Sequence, residues 1–269
     1  ANSFINFNGT AGVWRKSCIE DAGGWHYDTL TEDLDLSYRA QLKGWQFIYL
    51  EDVVAPAELP VLMPAIKSQQ YRWNKGAAES ARKHLFSVLK APVKLVNKIH
   101  AVFHLLNSSV FLFLLLGAVF SVPALFIKKQ LPQTTIFIDA GSVFVIGFLG
   151  TGFFYWIAAR QTVPEKTWRY FLLHYPAFLV ISMGLSLHNG LAVLEGWLGF
   201  KTPFVRTPKF NIQGLKGSWK GNVYINQKIT WVNIAEALLA IYFTGGLVAG
   251  FMLKDGGLLL FHAMLATGF

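Results

Sequence analysis

Two short polar motifs in this 269-residue chain combine residue types that could carry out group transfer. Thr31-Glu32-Asp33 stands at the start of a helical pattern, where the Asp33 carboxylate would have a fixed position and stay ionised, as a general base requires. The second motif, from Gln69 to Trp73 (QQYRW), offers an arginine fork for phosphate oxygens and an indole face for a sugar ring. A carboxylate, a diphosphate clamp and a stacking platform together would suit sugar transfer from a nucleotide donor.

Each motif also has a purely structural interpretation. Acidic residues favour helix N-termini because they face the positive end of the helix dipole, so Thr31, Glu32 and Asp33 could simply cap a helix. Arg72 and Trp73 could anchor a helix at the lipid headgroups, where basic and aromatic side chains are enriched. The chemical interpretation therefore depends on the two motifs occurring together.

The residues around the first motif predict the end of an α/β domain. A short strand is expected at 3–7 and a buried strand at 45–50, with a short helix within 14–24. Thr31 should be the N-cap of a second helix, and Gly44 suits the position just after its end. This strand–helix–helix–strand order is typical of an α/β fold.

The rest of the chain has the composition of a membrane protein. Hydrophobic residues make up 53% of the sequence and charged residues 14%. An amphipathic pattern from Pro60 to about Lys90 predicts helices in the membrane interface. Long apolar stretches predict membrane spans over 101–127, 136–159 and 231–253.

The basic residues predict the topology. Segments 59–100 and 201–230 are rich in lysine and arginine, which the positive-inside rule places in the cytoplasm. Two spans between them preserve that arrangement and three do not, so residues 171–200 should form an interfacial or re-entrant element. Glu195 should snorkel towards the interface, with a channel-lining role left open as the alternative. We expect an integral, multi-pass protein of the lipid bilayer with its catalytic part in the cytoplasm. These spans argue against nucleic acid as the reason for a net charge of +9.

The two motifs make the chain similar to the processive family 2 glycosyltransferases, the cellulose-synthase-like enzymes. Their TED motif is present as residues 31–33 and their Q-x-x-R-W motif as residues 69–73. The stretch FNGTAGVWRKSCIEDAGGW (residues 7–25) resembles the glucomannan-synthase-like branch, in which an asparagine such as Asn8 replaces the cysteine of bacterial cellulose synthase.

The resemblance extends to the family's cytoplasmic gating loop, whose pattern is F-x-V-T-x-K. In this chain FVRTPK has Phe204, Thr207 and Lys209 in register, and Arg206 replaces the usual valine. This loop falls within segment 201–230, which the topology already places in the cytoplasm.

The resemblance implies a role for each matched residue. Asp33 would be the catalytic base that deprotonates the acceptor hydroxyl for inverting attack on the donor's anomeric carbon, and Glu32 would support the site. The donor diphosphate would be bound by Gln69, Arg72, Thr207 and Lys209. The acceptor site would comprise Trp73, Phe7, Asn8 and Gly9, and the gating loop would include Phe204 and Arg206.

The resemblance also implies groups that this sequence lacks. Such enzymes hold the nucleotide with an earlier aspartate and a Mg²⁺ or Mn²⁺ ion with an Asp-x-Asp motif, both before TED. Asp33-Leu34-Asp35 has that spacing, but side chains two residues apart on a helix diverge, so we reject it as a metal site. We expect the metal ligands outside this sequence, which would be a C-terminal fragment that is inactive alone.

The implied function is transfer of a hexose from UDP-glucose or GDP-mannose to a growing β-linked polysaccharide acceptor, followed by translocation of the product. A non-processive transferase that glycosylates a lipid and a transporter or channel subunit stay open as alternatives. The expected domains are the end of a glycosyltransferase A-type domain at 1–58, interface helices at 59–100 and an α-helical transmembrane bundle at 101–269. The last includes the gating-type loop 201–230.

Overall fold

The structure is a computed structural model that describes residues 3–9, 11–50, 52–60, 62–131, 143–206 and 229–269, without the side chains of 143–146. Thr207 and Lys209 lie outside the described residues. The chain divides into two compact units. The first unit contains Ala1–Leu112 and His188–Lys228, and the second contains Phe113–Leu187 and Ile229–Phe269.

Local sequence signals set the first two helices. The helix α1, Lys16–Asp21, is followed by α2, Glu32–Leu42. As predicted, Thr31 is the N-cap residue of α2, and Gly44 follows the helix with a φ of 94°, which favours glycine. The Thr31 hydroxyl makes no capping bond, and the Asp33 carboxylate instead accepts the Leu34 N–H at 2.8 Å. One free donor of the first turn is thereby satisfied.

The longest helix of the first unit is α3, Met63–Lys90, which carries the QQYRW motif. It is followed by α4, Leu95–Leu106, and by a short 3-10 turn at Asn107–Ser109. A later helix, α8 (Ser186–Leu198), packs closely on α3. A Cβ added at Gly196 would lie 2.7 Å from the Ala78 Cβ, so glycine is needed for this approach.

The helix α2 is covered on several faces, which makes it the centre of the first unit. Leu34 and Tyr38 pack into a hydrophobic core shared with α3 and α4. Leu36 and Ala40 pack on α1 in a second core that includes Cys18, the lone cysteine. Because burying apolar side chains is the main stabilising term in folding, these two cores fix the position of the TED motif at the start of α2.

The predicted strands are not confirmed. Among the described residues the structure has helices and no β-strand, so residues 3–7 and 45–50 are not paired in a ladder. The expectation of a buried strand at 45–50 is wrong, because Ile48 is 84% exposed and Tyr49 is 79% exposed. A strand requires partner strands for its backbone donors and acceptors, and the described chain supplies none. The α/β class therefore stays a prediction.

The second unit is also helical where it is described. It is built from most of α5 (Val110–Gln130), α6 (Val143–Thr162), α7 (Thr167–Gly184), α9 (Trp231–Leu253) and α10 (Leu259–Gly268). Its hydrophobic core includes Val122, Phe243 and Leu265. The helices α7 and α10 meet backbone to backbone, since a Cβ added at Gly184 would lie 2.0 Å from the Gly268 carbonyl oxygen.

The described helices support a membrane protein. By length and composition, Leu95–Gln130 and Trp231–Leu253 could each cross a bilayer. A third candidate is the pair Pro164–Gly184 and Ser186–Leu198, which is bent by 55° and forms either a broken span or a re-entrant loop. This bend fits the expectation of an irregular element at 171–200. The predicted span 136–159 lies partly outside the described residues.

Candidate active site

The TED motif is held against α3 by three contacts. The Leu30 N–H donates to Glu79 Oε2 at 2.8 Å, and the Thr31 hydroxyl lies 3.4 Å from the Ser80 hydroxyl. Gly76 lies beneath the turn, where an added Cβ would be 2.6 Å from Thr31 Cγ2 and 2.7 Å from Thr31 N. Thr31 therefore holds the TED motif against α3, and this contact requires glycine at position 76.

A row of side chains on α2 binds residues 5–9 in place of a neighbouring strand. Gln41 exchanges two hydrogen bonds with the Ile5 backbone, accepting the N–H at 2.9 Å and donating to the carbonyl at 2.8 Å. Ser37 Oγ accepts the Phe7 N–H at 3.0 Å, and Asp33 Oδ2 accepts the Gly9 N–H at 2.9 Å.

This row has a geometric basis. Four residues of helix rise about 6 Å, and two residues of extended chain rise about 6.6 Å. Asp33, Ser37 and Gln41, spaced by four, therefore stay in step with alternate residues of segment 5–9. Hydrogen bonds thereby join the helix of the predicted base to the predicted acceptor-lining segment. The roles of Ser37 and Gln41 were not predicted, although their four-residue spacing from Asp33 indicates that all three lie on one face of the helix.

Both carboxylate oxygens of Asp33 accept a backbone N–H, from Gly9 and from Leu34. Burial raises the pKa of the Asp33 carboxyl above its ordinary value, the hydrogen bonds from Leu34 and Gly9 oppose the rise, and the Glu32 charge adds to it. A carboxylate with a raised pKa is a better proton acceptor at neutral pH than an unperturbed aspartate. Glu32 itself is exposed.

Asp35 has the opposite environment, although it is two residues away. It is fully buried and accepts hydrogen bonds from Arg39 at 2.7 Å and from His84 at 2.7 Å, and pairs with Lys83 at 2.8 Å. Burial opposes its ionisation, but the hydrogen bonds from His84, Lys83 and Arg39 outweigh burial and hold the pKa of Asp35 well below its usual range. Asp35 is an anchor between α2 and α3.

We tested whether the described residues could hold the expected divalent metal. His26, Asp28 and Asp35 have ligand atoms within 4.8 Å of one another. The Lys83 ammonium, however, lies 2.9 Å from both Asp28 oxygens, 2.8 Å from Asp35 and 3.2 Å from His26 Nδ1. Because the Lys83 ammonium already occupies this position, the group does not fit a metal ion.

The QQYRW motif lies on the face of α3 that also receives the TED turn. Gln69, Arg72, Trp73 and Gly76 follow the i, i+3, i+4, i+7 pattern of one helix face, and Arg72 and Gly76 are about 6 Å apart along the axis. Gln69 is partly buried, and Trp73 is 48% exposed, as a platform for a ligand requires.

The chain after α8 contacts the QQYRW motif and a residue that precedes the TED motif. The Arg72 guanidinium stacks on the Phe204 ring at 4.6 Å and donates to the Val205 carbonyl at 3.3 Å. Lys201 donates to the Asp28 carbonyl at 2.9 Å, just before TED. The described start of the predicted gating loop thus lies at Arg72, and Arg206 is exposed at its end.

The opposite face of α3 binds α8 through a buried charge. The Lys75 ammonium is fully buried and donates to Glu195 at 2.9 Å, and the Tyr71 hydroxyl donates to the same carboxylate. The expectation that Glu195 snorkels is wrong, because its carboxylate is bound by these two residues. This contact fixes the α3 turn that carries Arg72.

The structure brings some of the predicted site residues together, and others lie outside the described residues. Asp33 is joined to Gly9 directly and to Phe7 through Ser37, while Asn8 accepts a 3.4 Å hydrogen bond from Asn6. Arg72 is joined to Phe204. Thr207 and Lys209 are outside the described residues, so their placement at the donor stays a prediction.

The two motifs and the apolar helices are consistent with a membrane glycosyltransferase, and comparison with known proteins agrees. The family described as "Glycosyl transferase family group 2" matches residues 5–183, and the chain belongs to this family. The match favours an enzyme over a transporter or channel subunit.

The chain is similar to plant proteins of the cellulose-synthase-like type. It is 47% identical over 103 residues to "Glucomannan 4-beta-mannosyltransferase 1" of Oryza sativa subsp. japonica. The aligned region covers 38% of this chain and 20% of that protein. It is 45% identical over 89 residues to "Glucomannan 4-beta-mannosyltransferase 7" of Arabidopsis thaliana, covering 33% and 16%. The chain thus spans about a fifth of these relatives. No solved structure matches it.

Proposed function

We propose that this chain is part of an inverting, membrane-embedded polysaccharide synthase that transfers a hexose from a nucleotide sugar to a β-linked glycan. The observation that carries the proposal is the bond between Asp33 Oδ2 and the Gly9 N–H, 2.9 Å long, which joins the base to the acceptor-lining segment. A base must lie within hydrogen-bond reach of the proton it removes, and a fixed junction of this kind supplies that geometry.

In the proposed step, Asp33 accepts the proton of an acceptor hydroxyl. The hydroxyl oxygen forms a bond to the donor's anomeric carbon from the face opposite the diphosphate. The bond between that carbon and the diphosphate oxygen breaks, and the nucleoside diphosphate leaves with the electron pair. Attack from the opposite face inverts the configuration, so an α-linked donor gives a β-linked product.

The second motif is proposed to bind the donor. Arg72 offers a planar fork that suits diphosphate oxygens, with Gln69 on the same helix face. Phe204 and Val205 contact Arg72, which supports a gating loop whose Thr207 and Lys209 reach the diphosphate. Trp73, half-exposed on this face, would stack on the acceptor sugar.

The donor and the membrane arrangement are proposals of the same kind. The names of these mannosyltransferase relatives favour a mannosyl donor, GDP-mannose, over UDP-glucose. A Mg²⁺ or Mn²⁺ ion would be held by residues outside the described ones. The end of the α/β glycosyltransferase domain, residues 1–58, would face the cytoplasm, with interface helices at 59–100 and several spans after them.

The test is incorporation of labelled sugar by membrane vesicles that contain the full-length enzyme, with GDP-mannose and UDP-glucose offered separately. We expect label from GDP-mannose in a high-mass glycan that only a β-mannanase releases. Vesicles without the enzyme are the control. Label that extracts into organic solvent as a single-sugar lipid would contradict the polysaccharide synthase.

A further inference from the structure

The turn between α6 and α7 forms a concave basic surface that the proposed transfer does not use. This depression has a volume of about 670 Å³. We call it the α6–α7 pocket, and its lining residues are Trp156, Arg160, Pro164, Glu165, Lys166, Thr167, Trp168 and Arg169. All of them belong to the second unit, so the pocket is independent of the TED and QQYRW motifs.

Cations outnumber carboxylates in the α6–α7 pocket. Arg160, Lys166 and Arg169 face a single carboxylate, Glu165, and none of the three forms a salt bridge with it or with any other described carboxylate. The Arg160 guanidinium lies over the Trp156 ring at 5.7 Å. The Trp156 indole N–H is shielded from solvent and has no acceptor among the described residues. The surface therefore offers donors and positive charge, which is the chemistry that binds a phosphate.

The surroundings of the pocket indicate a phosphate that is attached to a lipid. Exposed apolar side chains run from the pocket along both helices: Phe153 and Phe154 on α6, and Leu172 and Leu173 on α7. On α6, Trp156 lies between the apolar pair and Arg160, the order that membrane interfaces favour, and on α7 Trp168 lies beside Arg169. An acyl chain can lie along the apolar faces while its headgroup reaches the cations.

We propose that the α6–α7 pocket binds the phosphate headgroup of an anionic phospholipid. Phosphate oxygens would be bound by Arg160, Lys166 and Arg169, and the acyl chains would contact Phe153 and Leu172. In the predicted topology this turn faces the cytoplasm, whose leaflet carries the anionic lipids. The pocket would fix the depth at which α6 and α7 sit in the bilayer.

The test is native mass spectrometry of the purified full-length protein in detergent, titrated with phosphatidylglycerol or with phosphatidylcholine. The variant is Arg160→Gln/Arg169→Gln, and Lys166→Gln/Arg169→Gln is a second variant that leaves Arg160 on Trp156. The matched control, Lys129→Gln/Lys254→Gln, removes the same charge from exposed positions outside the pocket.

We expect both pocket variants to bind phosphatidylglycerol about tenfold more weakly or worse, with phosphatidylcholine binding unchanged. The control variant should bind both lipids as the unmodified protein does. Unchanged phosphatidylglycerol binding in the pocket variants, or an equal loss in the control, would overturn the proposal. Displacement of the lipid by excess inorganic diphosphate would instead assign the pocket to a soluble phosphate compound and would also overturn it.

Discussion

Asp33 and Asp35 show how two carboxylates on one helix acquire different roles. Asp33 has backbone partners and no salt bridge with a described cation, so burial keeps its pKa above the ordinary value. Asp35 is surrounded by Arg39, Lys83 and His84, which keep its pKa low. Of the two carboxylates, Asp33 has the higher proton affinity, which supports its assignment as the base.

The charge of Glu32 should be visible in the pH dependence of transfer. Below its raised pKa, Asp33 is protonated and cannot accept the acceptor's proton, so activity falls on the acidic side. Glu32→Gln removes a like charge and lowers the pKa of Asp33. The acidic limb of kcat should therefore move to lower pH.

The control for this measurement is Glu20→Gln, which makes the same charge change on α1. The pH profile of this variant should match that of the unmodified enzyme. An acidic limb that stays in place in Glu32→Gln would show that the limb belongs to another group.

Asp35 should contribute far more to the free energy of unfolding than Asp28, the more exposed partner of the same lysine. Asp35→Asn leaves Arg39, Lys83 and His84 around a neutral side chain, and breaking a buried pair costs about 3–5 kcal/mol. Asp28→Asn removes a 52% exposed partner of the same Lys83 and should cost less than about 1 kcal/mol. Thermal unfolding of the full-length protein in detergent checks this, and equal losses would contradict the anchor role.

At the scale of elements, the pairing of α2 with segment 5–9 should control acceptor use. Gln41→Met removes both hydrogen bonds to Ile5 and keeps a similar volume. Each lost bond is worth about 1 kcal/mol, so we expect the acceptor KM to rise about tenfold or more while the donor KM is unchanged. Gln46→Met, in an exposed position, is the matched control. Equal rises in both KM values would indicate general damage.

The contact between Thr31 and α3 should tolerate no side chain at Gly76. A methyl group in Gly76→Ala would lie 2.6 Å from Thr31 Cγ2 and would push the TED turn off α3. We expect kcat to fall about tenfold or more because catalysis is sensitive to small displacements. Gly245→Ala has open space around the new methyl and should keep full activity. A Gly76→Ala enzyme with normal kcat would contradict the docking of TED on α3.

The sequence predicted the elements whose signals are local. Thr31 and Gly44 marked the ends of α2, and the composition identified the long apolar helices. The strand predictions were not confirmed, because a strand depends on partner strands far along the chain. In segment 5–9 the side chains of Ser37 and Gln41 bond to the backbone instead of a partner strand. The buried Lys75 was missed for the same reason, because its partner Glu195 is 120 residues away.

At the scale of the whole molecule, the proposed site residues and most of the apolar helices belong to different units. The first unit holds Asp33, Gly9, Arg72 and Trp73, and the second unit holds the α6–α7 pocket and most of the apolar helices. Residues 5–183, which match the family, extend across parts of both units. The family therefore includes both the motifs and the helices after them, as a transferase that works at a membrane requires.

The assignment of Asp33 as the catalytic base is tested most directly by the activity of Asp33→Asn in the full-length enzyme. We expect sugar transfer to fall by about a thousandfold, the contribution of a general base, while nucleotide-sugar binding by calorimetry stays within about twofold. Asp28→Asn, which removes an exposed carboxylate near TED, should transfer sugar normally. Transfer retained in Asp33→Asn, or donor binding lost with it, would contradict the assignment of Asp33 as the base.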